Sequence, residues 1–220
     1  MIKRHSTLRA AITAAAAACL AAVLASPGSA ADFDYWLLAL SWSPSWCADA
    51  EGDPEGDSGG DAGQCAPERD LGYVLHGLWP QFEDGWPGYC DTDARPPSRR
   101  ETAAMADVMG SGGLAWHTWK KHGTCSGLPA ADYFALSRFA FGLIAAPEAP
   151  ARTTAAAVEA GFLAANPGLG ARSVVVTCRD GLLREVRICL DRDLAPRPCG
   201  ADVLRGDCRP DRPLSAPAAP

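Results

Sequence analysis

The sequence predicts an α+β fold, an antiparallel β-sheet packed with several α-helices and stabilised by disulfides. Three observations carry that prediction. Segments with the period-two alternation of strands lie near both ends of the chain, and segments with helical spacing fill the middle. Eight cysteines, an even number, follow an export-type leader.

Lys3, Arg4 and Arg9 form a positive n-region before the apolar stretch 11–24. That stretch is shorter than the roughly 20 residues needed to span a bilayer. Pro27-Gly28-Ser29-Ala30-Ala31 then supplies small residues for cleavage after Ala30 or Ala31. Residues 1–31 are therefore read as a signal peptide, 32–208 as one domain, and 209–220 as a disordered Pro/Ala-rich tail. The mature chain, about 190 residues, is large enough for a sizeable core. It is expected in the periplasm or the medium, as a monomer away from the membrane.

Asp32 to Trp46 (DFDYWLLALSWSPSW) is aromatic-rich and partly alternating, as a buried strand would be. Asp49 to Gln64 is a glycine- and acid-rich surface loop. It lacks the Asp-x-Asp-x-Asp-Gly pattern with a distal Glu, and Pro54 interrupts it, so a calcium loop is not expected. Leu71 to Leu75 reads as a short strand and Gly85 to Pro97 as loop. Helices are expected over Arg99–Met109, from near Leu114 to a C-cap at Gly123, over Ala131–Ala145 and over Thr153–Ala164. In the third of these, Tyr133, Phe134, Leu136, Phe139, Leu143 and Ile144 recur at near-helical spacing. Ser173–Cys178 and Leu183–Leu190 read as strands joined at Arg179-Asp180-Gly181, the second alternating Val186, Ile188 and Leu190 with Glu185, Arg187 and Cys189.

Of nine cysteines, Cys19 lies in the leader. The other eight (Cys47, Cys65, Cys90, Cys125, Cys178, Cys189, Cys199 and Cys208) read as four disulfides. There is no C-x-x-C pair, which argues against a zinc ribbon or a thioredoxin-type redox site. Spacing alone leaves 105 pairings open.

Charge argues against a tight nucleic-acid binder. The full chain carries −6; the leader holds three of its 20 basic residues and none of its 26 acidic ones, leaving −9 for the mature chain. Phosphate contacts dominate nucleic-acid affinity, so stoichiometric binding is disfavoured while brief binding at a small cationic site is not.

Every histidine beyond the N-terminus lies in two segments, His76-Gly77-Leu78-Trp79-Pro80-Gln81 and Trp116-His117-Thr118-Trp119-Lys120-Lys121-His122-Gly123-Thr124-Cys125. Histidine is the one side chain able to act as acid or base near neutrality without a perturbed pKa. Three of them beside lysines, glycines and tryptophans point to a catalytic surface that handles an anion. On a helix His117 and Lys121 share a face, as do Thr118 and His122 one step round.

These segments resemble the two active-site blocks of the ribonuclease T2 family, and the run through Trp42, Pro44 and Cys47 resembles its opening strand. The resemblance covers most of residues 32–208 and implies a ribonuclease T2-like fold. It also implies a secreted endoribonuclease that cuts single-stranded RNA through a 2′,3′-cyclic phosphate, with low base specificity and no metal or cofactor. DNA, lacking the 2′-hydroxyl, is not a substrate. Carried over by position, His122 resembles the general base, His76 the general acid, His117 the phosphate-holding histidine and Lys121 the transition-state stabiliser. Trp79, Gln81 and Thr118 are the candidate substrate contacts. The resemblance further implies the pairs Cys90–Cys125, Cys178–Cys208 and Cys189–Cys199, which leaves Cys47 with Cys65.

One position departs. The family has His-Glu-Trp where this chain has His117-Thr118-Trp119, so a carboxylate able to orient or polarise the site is missing, and His122 is expected to hold its proton less strongly. Two other readings use the same residues. One is a three-histidine zinc hydrolase, although His117 and His122 lie about 140° apart on a helix. The other is an inactive relative acting as a binding module.

Overall fold

The computed structural model describes residues 32–52 and 62–218, so the leader and most of the acidic loop lie outside the described residues. Six strands form one sheet: β1 (Tyr35–Trp42), β2 (Tyr73–Gln81), β3 (Arg152–Thr154), β4 (Val174–Arg179), β5 (Leu182–Leu190) and β6 (Pro213–Ser215). The order is β2-β1-β5-β6-β3, with β4 also paired to β5. β1, β2, β4 and β5 pair antiparallel throughout, as expected for the fold class. The helices are α1 (Ser43–Gly52), α2 (Arg99–Ala103), α3 (Ala106–Met109), α4 (Gly112–Lys121), α5 (Ala130–Gly142), α6 (Ala155–Ala165) and α7 (Ala201–Arg205). All four expected disulfides are formed. No helix among the described residues is long and apolar enough to cross a membrane.

Successive strand residues point to opposite faces. On β1, Trp36, Leu38, Leu40 and Trp42 enter the main core with α5 and α6, while Tyr35 and Leu37 enter a smaller cluster with Val175, Cys189 and Val203. Two β-bulges then reset the alternation. Ala39 and Leu40 pair with Gly77 and Leu75, so His76 is the extra residue of β2. Thr177 and Cys178 pair with Glu185 and Leu183, so Arg184 is the extra residue of β5. An inserted residue flips everything beyond it to the other face. Leu75 and Leu78 therefore both reach the main core although three residues apart, as do Leu183 and Val186.

Several expectations are corrected. The helix expected over Arg99–Met109 is two helices, because Arg138 of α5 donates to the Ala104 carbonyl and to both oxygens of Asp107 at the break. The strand expected to end at Leu75 runs on to Gln81 and carries the first histidine segment. Of the apolar residues at near-helical spacing in the third helix, Phe139 and Leu143 are exposed. Gly123 is not a left-handed cap: it opens a short 3₁₀ turn, and the Trp119 ring packs where a Cβ would stand.

The disordered tail is corrected as well. β6 pairs with β3, Ser215 donates to the Gly181 carbonyl, and Trp42 Nε1 donates to the Pro217 carbonyl. Leu214 and Ala216 are buried. Proline-rich composition suggested disorder, yet proline is tolerated in a short edge strand and two apolar residues anchor this one. Leu214→Ala is expected to lower stability by about 2–4 kcal/mol, read as a lower urea midpoint with an unchanged slope. A disordered tail would leave the midpoint unmoved.

Candidate active site

The site lies on the sheet face opposite the main core, where β2, β5, α4 and α7 meet around a cavity of about 280 Å³. The bulge in β2 turns His76 toward this face, and the alternation of β5, in unbroken register with β1, brings Glu185 and Arg187 to it. His76, Trp79, Gln81, Lys121, His122, Glu185 and Arg187 all line the cavity. The two histidine segments, 40 residues apart, are thereby brought together.

α4 delivers its side chains because Ser111 caps it: the Ser111 hydroxyl accepts from the Leu114 N–H. The helix ends at Lys121, with His122 as its C-cap residue. The Tyr89 N–H donates to the Lys121 carbonyl, and the Cys90–Cys125 disulfide ties the same loop to the following turn. Gly77 lets α4 come close to β2, since a Cβ there would run into Trp79 and the Thr118 methyl. Across this contact the Thr118 hydroxyl donates to the His76 carbonyl at 2.9 Å. Thr118 is only 1% exposed. Thr118, expected as a substrate contact, is placed between α4 and β2, where it clamps the strand that carries His76.

Trp79 sits between the two histidines. Its ring stacks on His122 at 4.7 Å and 14°, and meets His76 edge-on at 5.0 Å. The Arg187 guanidinium lies 5.5 Å from the same ring. With one face against His122, Trp79 acts chiefly as a spacer. The exposed tryptophan at the cavity is Trp86, 58% exposed, which sequence reasoning passed over as loop. Gln81 lines the cavity but is buried, and its amide donates to the Pro80 carbonyl. His117 is on the exposed side of α4, does not line the cavity, and acts on His122 through its charge. Trp116 is exposed, while Trp119 is buried.

The two histidines differ in surroundings. Burial, then the charges of Lys121, His76 and His117, push His122 down to about 3, so it is neutral over most of the pH range. His76 is about a third exposed, and its Nδ1 hydrogen-bonds the Glu185 carboxylate. Arg187 holds the second carboxylate oxygen through Nε at 2.8 Å and Nη2 at 2.7 Å. Burial alone would raise the Glu185 pKa, but His76 and Arg187 outweigh it and hold the carboxyl at about 2. Glu185 and Arg187 were missed as site residues. The only sequence signal was their shared strand face.

His122 Nδ1, Trp79 Nε1 and Asp202 Oδ1 are buried without a partner among the described residues, and all three residues line the cavity. A second cavity, about 300 Å³, shares His76, Glu185 and Arg187 and adds Trp46, Arg179 and Arg184. Among the described residues, no three His, Cys, Asp or Glu side chains are grouped to hold a metal ion. The arrangement suits acid–base chemistry on an anionic substrate: a neutral imidazole, an imidazole paired with a carboxylate, and a lysine and an arginine at one cavity.

Comparison with known proteins agrees. The model of the Ribonuclease T2 family matches residues 33–141. A ribonuclease from Aeromonas hydrophila is 34% identical over 177 residues, 76% of this chain and 75% of that protein. Among solved structures, the RNase-related protein from Calystegia sepium superposes with a TM-score of 0.65 at 20% identity, covering 86% of this chain and 98% of the other. RNase NT in complex with 5′-AMP gives a TM-score of 0.51 at 20% identity, covering 77% and 96%. The chain belongs to the ribonuclease T2 family and is a T2-type endoribonuclease.

Thr118→Val keeps the shape and removes the hydrogen bond to the His76 carbonyl. It is expected to lower stability by about 1–3 kcal/mol in urea unfolding. A hydroxyl that contacts substrate would instead raise KM and leave stability unchanged.

Proposed function

We propose that this cavity cleaves single-stranded RNA, with low base specificity, by acid–base transesterification that needs neither metal nor cofactor. The observation that carries the reading is the contrast between its two histidines, since groups whose surroundings separate their proton affinities mark the base and the acid. His122, buried and neutral, takes the proton of the 2′-hydroxyl. The freed 2′-oxygen attacks phosphorus and the bond from phosphorus to the 5′-oxygen breaks. His76 gives its proton to that departing oxygen, leaving a 2′,3′-cyclic phosphate and a 5′-hydroxyl. Lys121 stabilises the charge that builds on the phosphorane oxygens, whereas His117, expected to hold the phosphate, lies outside the cavity lining on the exposed side of α4.

The remaining lining supports a nucleotide. Trp86 offers an exposed face for a base, and stacking tolerates many bases. Arg179, Arg184 and Arg187 gather positive charge beside His76 in an otherwise acidic chain, as a briefly held polyanion requires. RNase NT, which shares the fold, is known with 5′-AMP bound. Four disulfides fit the oxidising compartment reached by export.

Purified mature protein is expected to cut RNA in EDTA and leave 2′,3′-cyclic phosphate ends, detected by mass spectrometry. His76→Ala and His122→Ala are each expected to lose at least about 100-fold. A zinc enzyme would die in EDTA, and a binding module would bind RNA without cutting it. Full activity in either alanine variant would sink the roles.

The sign of the pH effect follows from burial. A general base works once deprotonated, so the acid limb of kcat/KM is expected well below 6.5, toward 3. Stability should decline over the same interval, because the unfolded chain takes up a proton that buried His122 refuses. An acid limb near 6.5, with the fold intact by circular dichroism, would contradict this.

A further inference from the structure

We propose that Glu185 is the positioning residue for His76: held by Arg187 on β5, it fixes the imidazole through Nδ1 and supplies the carboxylate that the α4 segment lacks at Thr118. This rests on His76 acting as the general acid. Three observations support it. First, Glu185 faces this side by the unbroken alternation of β5 against β1, and His76 is turned to meet it by the bulge in β2. Without that insertion the pair would sit on opposite faces of the sheet. Second, the carboxylate is saturated by functional partners. One oxygen takes His76 Nδ1 and lies 3.5 Å from the Ser41 hydroxyl, and the other takes two bonds from Arg187.

Third, the charges around His76 make such a partner necessary. Lys121 and His122 of α4 line the first cavity with it, and Arg179 of β4 and Arg184 and Arg187 of β5 line the second. These cations oppose an imidazolium. Among the described residues the only other carboxylate in either lining is Asp202, one oxygen of which accepts from the Gly85 N–H. Among them Glu185 is the one anion shown in contact with His76. By accepting from Nδ1 it keeps Nε2 as the nitrogen that carries the transferable proton. Glu185 stays ionised throughout, and its effect is felt only through His76.

The test compares wild type, Glu185→Gln, His76→Ala and the double variant on two substrates. One is RNA; the other is a uridine 3′-phosphodiester with a 4-nitrophenolate leaving group, which needs little help from an acid. Glu185→Gln is expected to lose about 10- to 100-fold on RNA and far less on the aryl ester. The double variant should be no slower than His76→Ala, because both changes act through one group. Equal losses on both substrates or additive losses would overturn the proposal. If His76→Ala itself cuts RNA normally, the general-acid reading fails instead, and the two failures are told apart. Nitrogen-15 NMR of histidine-labelled wild type needs no variant. Neutral His76 is expected to carry its proton on Nδ1, and a neutral ring protonated on Nε2 would refute the proposal even if Glu185→Gln fails to fold.

Discussion

A strand can give each residue to only one of the two faces of its sheet, and the active site depends on how this sheet breaks that rule. The main core needs Leu75, Leu78, Leu183 and Val186 on one side. Strict alternation would then place His76 among them and Glu185 beside Leu183, burying both ionisable groups in hydrocarbon. The bulges at His76 and Arg184 remove the conflict with one added residue each. The core keeps its aliphatic face, and the opposite face receives an imidazole, a carboxylate and a guanidinium that can satisfy one another. Each bulge leaves one residue outside the ladder, a local loss that the packing on both faces must outweigh.

Trp79 extends the same economy of placement. Because the bulge puts it three residues from His76 but on the same face, its ring fills the space between the two imidazoles, edge toward one and face toward the other. That single side chain separates two groups that would repel if both were charged, and it helps bury His122 so that this one stays neutral. α4 is held against β2 by the close approach at Gly77 and by Thr118, and α5 by the Tyr133 hydroxyl, which donates to the Leu78 carbonyl. The geometry of the site is therefore set by backbone contacts on rigid elements, with loops contributing mainly the rim at Trp86.

Much of this was legible in the sequence, for reasons that differ by residue. The strands around Tyr35–Trp42 and Leu182–Leu190 announce themselves because alternation is a local signal. His76, His117, Lys121 and His122 stand out because histidines are few and clustered. What the sequence hid is long-range. Glu185 looks like one more polar residue on the outer face of a strand until a second bulge, over 100 residues earlier, brings His76 to it. Thr118 looks like a substrate contact until Gly77 shows how close β2 lies. The tail looks disordered because composition reports proline, whereas Leu214 and Ala216 find a groove that only the folded sheet supplies.

The departure at Thr118 takes on a different meaning in this setting. A carboxylate at that position would stand in the tight contact between α4 and β2, where the threonine is almost fully buried and bonded to the His76 carbonyl. Buried charge is tolerated only with a partner, and the nearby cationic groups are directed elsewhere: Arg187 to Glu185, Lys121 to the cavity. Here the negative charge of the site stands on β5 and serves His76. That leaves His122 without an anion, hence neutral. The division of labour between base and acid is thereby built from burial on one side and a fixed counter-charge on the other.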